Sequence, residues 1–88
     1  MIRKNYEAVR KMRKINEVGV KRIRRYVADH HPKGLENFDR NIALIKDYLI
    51  GGPEYCAQKY GLTPNAGSVM LRIFYNYALE AEKEDGDG

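Results

Sequence analysis

Residues 53–72, PEYCAQKYGLTPNAGSVMLR, decide how this chain folds. Pro53 suits the first turn of a helix, where its missing N–H removes no hydrogen bond. That helix is short, because Gly61 accepts the left-handed backbone angle that ends it. Thr63 and Pro64 then read as the N-cap and first turn of a second helix. Its apolar residues, Ala66, Val69, Met70, Ile73, Phe74 and Tyr77, recur at helical spacing and predict burial along one face as far as about Glu82. Ala57 is small where the two helices should cross, Cys56 and Tyr60 can bury on the same side, and Leu62 is expected to plug the gap between them. The acidic, glycine-rich stretch 83–88 is expected to fray into solvent as a disordered tail.

Working backwards, Phe38, Ile42, Ile45 and Leu49 repeat at intervals of four and three, which predicts another helix ending at Gly51-Gly52. Asp29-His30-His31-Pro32-Lys33-Gly34 reads as a connection. Before it, Ile2, Tyr6, Val9, Met12, Val20, Ile23 and Val27 fall on one side of a helix turning 100° per residue, while Arg3, Arg10, Lys14, Lys21 and Arg25 form a stripe on the other. Gly19 weakens the middle of that run by about 1 kcal/mol relative to alanine, so one bent helix or two shorter ones fit equally. No segment alternates as a strand would. The expectation is an all-α fold, a small helical domain of four to five helices, divided into a basic amphipathic arm over 1–30 and a helical domain over 35–82.

Composition sets the outer limits. A chain of 88 residues, 43% apolar and 32% charged, carries enough hydrophobic material for one small core. Its single cysteine, Cys56, cannot form an internal disulfide, and no apolar run is long enough to span a bilayer, so a cytoplasmic protein that does not enter the membrane is expected. The formal charge of +4 is unevenly spread. Residues 1–30 hold ten Lys/Arg against three Asp/Glu, a net of +7, whereas residues 31–88 hold six against nine, a net of −3. A segment so basic attracts polyanions.

A short helix, a glycine turn and a long helix at this spacing make a helix-turn-helix over residues 53–82, whose second helix can enter the major groove of duplex DNA. Residues 42–52, IALIKDYLIGG, followed by 56–63, CAQKYGLT, give the segment from Asn41 to Ala81 a likeness to a known group. It resembles region 4 of bacterial sigma factors and the small phage transcription regulators built on the same helices. That resemblance implies sequence-specific binding of double-stranded DNA in transcriptional regulation, of phage or mobile-element type. The chain departs from the pattern at Gly67, where such proteins usually carry a branched apolar residue.

Asn65, Ser68 and Arg72 lie opposite the expected core face in the half of the helix that would enter the groove, with Thr63 just ahead of them. Arg72 suits a bidentate contact to guanine, Asn65 can pair with adenine or a phosphate, and Ser68 permits close approach. Asn65, Ser68 and Arg72 could equally be solvated polar positions. Arg3, Arg10, Lys14, Lys21, Arg25 and Lys59 are candidate phosphate contacts, although a basic helical stripe also suits an anionic membrane, an acidic partner or plain solvent. Leu71, Tyr75 and Leu79 form a second apolar row that needs a cover: the N-terminal helix, a second copy in a homodimer, or a protein such as RNA polymerase or a sigma factor. His30 and His31 are adjacent, so their side chains diverge and do not share a metal without further ligands. Neither a nucleophile paired with a base nor a phosphate-cradling glycine loop stands out, so no metal, no cofactor and no enzymatic activity are expected.

Overall fold

The computed structural model describes residues 6–87, and all of its regular structure is helical. In chain order the elements are α1 (Tyr6–Val18), α2 (Val20–His30), a 3-10 turn (Pro32–Leu35), α3 (Phe38–Tyr60) and α4 (Ala66–Asp87). The all-α class expected from the sequence holds.

Two glycines set where the helices bend. Gly19, at φ 99° and ψ 136°, separates α1 from α2. An added Cβ would meet nothing within 4 Å there, so glycine serves the backbone angle and not a close approach. Gly52, at φ 91° and ψ 174°, breaks α3 into an arm over 38–51 and a short helix over 53–60 that begins at Pro53, as the sequence suggested.

The bend at Gly19 changes which face of α1 is buried. Ala8, Ile15 and Val18 enter the core, while Tyr6 and Val9 face solvent and Met12 is half-buried. Carrying one 100° phase from Val20, Ile23 and Val27 back through Gly19 assigns the wrong side, because the non-helical glycine resets the phase. Ile2 and Arg3 lie outside the described residues.

Every helix contributes to one core. Ile15, Ile23, Val27, Phe38, Ile45, Leu71, Phe74 and Ala78 pack in a single cluster, so residues 6–30 are not a separate arm. α4 is central, lying against α1, α2 and α3. Its buried residues are therefore Gly67, Leu71, Phe74, Ala78 and Ala81. Val69, expected inside, is 38% exposed, and Ala66, Met70, Ile73 and Tyr77 are half-buried. The predicted face meets α3, and α1 covers the neighbouring arc of α4, the N-terminal helix being one of the covers the sequence offers for the Leu71 row.

α4 also continues past Glu82 to Asp87. Lys14 holds Glu82 at 3.0 Å and His30 holds Glu84 at 2.6 Å, which ties the last turns to α1 and α2. The stretch 83–87 is thus part of the helix and not a frayed tail.

Candidate nucleic-acid interface

The turn between the short helix and α4 spans 61–65. Gly61 is left-handed, at φ 67° and ψ 38°, and the amides of both Gly61 and Leu62 donate to the Ala57 carbonyl, the latter at 2.8 Å. α4 begins at Ala66, two residues later than Thr63 and Pro64 suggested. Thr63 supplies only its carbonyl, which accepts the Ala66 N–H at 3.1 Å, while the Asn65 carbonyl accepts from Val69 at 3.0 Å and opens the helix. The Ser68 hydroxyl donates back to the Asn65 carbonyl at 3.1 Å.

This longer turn leaves Leu62 partly exposed beside Ala57 and Pro64, in an open groove, instead of between the helices. Close packing comes from Gly67. A Cβ built there would stand 2.5 Å from Tyr48 Cδ1 and 2.7 Å from Tyr48 Cβ, so the start of α4 rests directly on the α3 arm. The departure at Gly67 has a steric reason.

The short helix is braced against the same arm. Cys56 is buried, its thiol 3.4 Å from the Leu44 carbonyl, and burial pushes its pKa up. The Tyr60 hydroxyl donates to Asp47 Oδ2 at 2.6 Å, and Lys59 Nζ lies 3.1 Å from the same oxygen. Those two donors hold the Asp47 carboxyl below the usual carboxylate range. Asp47 in turn raises Lys59 and Tyr60. Lys59 is therefore engaged in the brace.

Thr63, Asn65, Ser68 and Arg72 are all exposed; Ser68 and Arg72 lie on one stripe of α4 that continues through Asn76, and Asn65 stands in the turn just ahead of the helix. Arg72 forms no ion pair with any described residue. A polar edge thus stands free along the first two turns of the helix that follows the turn.

The basic stripe is not one line. α1 runs parallel to α4: Glu7 and Ala8 share a cleft of about 230 Å³ with Ser68, Leu71 and Arg72, Lys11 Nζ lies 5.6 Å from the Tyr75 ring centroid, and Lys14 reaches Glu82. Arg10, paired with Glu7, thus lies near the polar edge, whereas Lys14 is drawn to Glu82, about 15 Å along the axis from Arg72 at 1.5 Å per residue. Arg25, on the helix that follows the break at Gly19, lies no nearer. Arg25 meets α4 at Ala81 and Glu84, about 14–18 Å along the axis from Arg72 at 1.5 Å per residue. Lys11 was missed, although the Glu7, Arg10 and Lys11 spacing of three and four already placed them on one face.

Comparisons with protein-family models, curated proteins and solved structures return no significant match to this chain. The likeness to sigma region 4 rests on the quoted residues alone.

The second apolar row has its cover within the chain. Leu71 is 2% exposed, packed in the core that α1 closes, so it is not free to meet a second copy or a polymerase. Tyr75 and Leu79 are half-buried along the same seam. Among the described residues no group of three His, Cys, Asp or Glu is placed to hold a metal, and no helix is long and apolar enough to cross a membrane.

Proposed function

We propose that this chain binds double-stranded DNA, laying the first two turns of α4 in the major groove, as a transcription regulator of phage or mobile-element type. The observation that carries this reading is the free polar edge of Asn65, Ser68 and Arg72 immediately after the left-handed turn at Gly61. A reading helix needs side chains that reach base edges and a partner helix that fixes its angle. The Gly67–Tyr48 contact and the Asp47–Tyr60 brace supply that fixed angle. Affinity from bases alone would be small with one arginine, and the α1 cations beside the edge supply a sequence-independent share. The rival role, docking a protein on Leu71, Tyr75 and Leu79, would first require α1 to leave the core.

The test is selection of bound duplexes from a random pool, then titration of the preferred site with Arg72→Ala. A loss of about 1–3 kcal/mol at one position of the site is expected. No retardation of any duplex at low salt would refute the proposal.

A further inference from the structure

Resting on the DNA-binding reading, the arrangement of α1 carries a second consequence. Packed helices lie about 8–10 Å apart, and the major groove is about 12 Å wide, so it admits α4 but not α1 beside it. With α4 in the groove, α1 meets the lip, where the phosphates of one strand run. The charged side chains it brings next to Ser68 and Arg72 are Glu7 and Lys11, and Arg10 joins them through Glu7 from the neighbouring groove beside Tyr75.

In the free protein these three are already joined. Arg10 Nη2 and Lys11 Nζ both approach a single oxygen, Glu7 Oε1, at 2.7 and 3.4 Å. The pairing lowers the Glu7 pKa and raises that of Arg10. An anionic oxygen held by an arginine and a lysine has the charge and acceptor chemistry of a phosphodiester oxygen. Glu7 itself is 63% exposed, and ion pairs so open to water are readily exchanged.

We propose that Arg10 and Lys11 form a phosphodiester-binding pair on the groove lip, and that Glu7 occupies it in the free protein as an intramolecular competitor of the DNA backbone. Binding then requires the carboxylate to be displaced and leaves it facing phosphates. Glu7 thereby weakens binding that rests on the backbone alone and makes affinity depend more on what Asn65, Ser68 and Arg72 find in the groove.

The experiment is the salt dependence of binding to a random-sequence duplex, for the wild type, Glu7→Gln, and Glu7→Gln combined with Arg10→Gln and Lys11→Gln. Each is checked for an unchanged unfolding midpoint. Glu7→Gln should bind more tightly and steepen the log–log slope by about 0.9, because one more net positive charge then faces the phosphates, so its advantage over wild type is about 3.5-fold greater at 50 mM than at 200 mM salt. The triple variant should return to the wild-type slope or below it. An unchanged slope in Glu7→Gln, or a steeper slope that persists in the triple variant, overturns the proposal. So does tighter binding to phosphatidylserine vesicles with no gain on duplex, which would make the pair a lipid-headgroup site. If Arg72→Ala abolishes sequence preference while Glu7→Gln changes nothing, the lip site alone falls; if no variant binds duplex, the DNA reading falls with it.

Discussion

Gly67→Ala separates helix propensity from packing, because the two push in opposite directions. In an unencumbered helix the change is stabilising by up to about 1 kcal/mol, and somewhat less in the first turn, where residue 67 lies. Here the new methyl would stand 2.5, 2.6 and 2.7 Å from Tyr48 Cδ1, Cγ and Cβ. Ordinary carbon contacts are about 3.5–4.0 Å, so a movement of roughly 1 Å is needed. Two of the three atoms lie at the base of the Tyr48 side chain, which cannot swing aside as a flexible tip would. Overpacking of this kind typically costs about 1–3 kcal/mol, which leaves a net loss of about 1 kcal/mol after the propensity gain. In a domain of this size that lowers Tm by about 4–8 °C. Asn76→Ala is the matched control, since Asn76 is exposed on the same helix and its replacement gains about half a kcal/mol of propensity with nothing to strike. Urea unfolding followed by circular dichroism should move the two midpoints in opposite directions. If Gly67→Ala rises with Asn76→Ala, the close approach of α4 to Tyr48 is wrong, and with it the fixed angle of the reading helix.

Leu71→Ala should destabilise by about 2–5 kcal/mol, as a large-to-small change in the core does, and leave the sedimentation behaviour of the folded protein unchanged; altered self-association without loss of stability would restore the partner surface. Gly61→Ala places a Cβ in the left-handed region and should lose about 1–2 kcal/mol, with Gly61→Asn milder, read from thermal midpoints; equal stability of all three would mean the turn is built otherwise. The Asp47 carboxyl has its pKa lowered by folding, so the unfolded chain binds the extra proton and stability must rise with pH across this group. Its contribution is complete above the unfolded value of about 3.9, and fades as pH falls from there through the lowered folded pKa. Asp47→Asn should therefore flatten the acid limb of a stability–pH curve, and an unaltered limb would contradict the brace.

What the sequence disclosed, it disclosed through residues whose meaning is local. Gly61 and Gly52-Pro53 mark backbone angles that few other residues accept, and both breaks fall where those residues stand. The periodic set Phe38, Ile42, Ile45 and Leu49 faces the core because one helix arm keeps one phase. The readings that failed needed knowledge of neighbours. α1 was given the wrong face because Gly19 resets the helical phase, and nothing in the residues of α1 records by how much. Leu71 reads from sequence as a row that needs a cover, with the N-terminal helix one of three candidates, and only the packing of α1 on α4 shows which element lies over it. The candidate site divides the same way. Ser68 and Arg72 share a stripe by helical spacing alone, with Asn65 in the turn just ahead of them, whereas the separation of Arg10 from Lys14 and Arg25 depends on where α1 and α2 meet α4.

That division has a consequence for how the proposed complex would sit on DNA. Among the described residues, the flank of α4 toward α1 brings Lys11 and, through Glu7, Arg10 to the start of the helix, while the short helix offers Lys59, which is paired with Asp47. Phosphate contact is therefore weighted to one strand, and the polar edge, two turns long, is tilted toward that strand. A monomer bound in this way has a direction on the duplex. Replacing Lys59 should change affinity less than replacing Arg10 and Lys11 together in the Glu7→Gln background, where the pair is released. Phosphate-ethylation interference on the selected site should then mark a run on one strand next to the position read by Arg72, with a weak counterpart across the groove. Equal interference on both strands would mean that the lip beside α1 is not where the backbone lies.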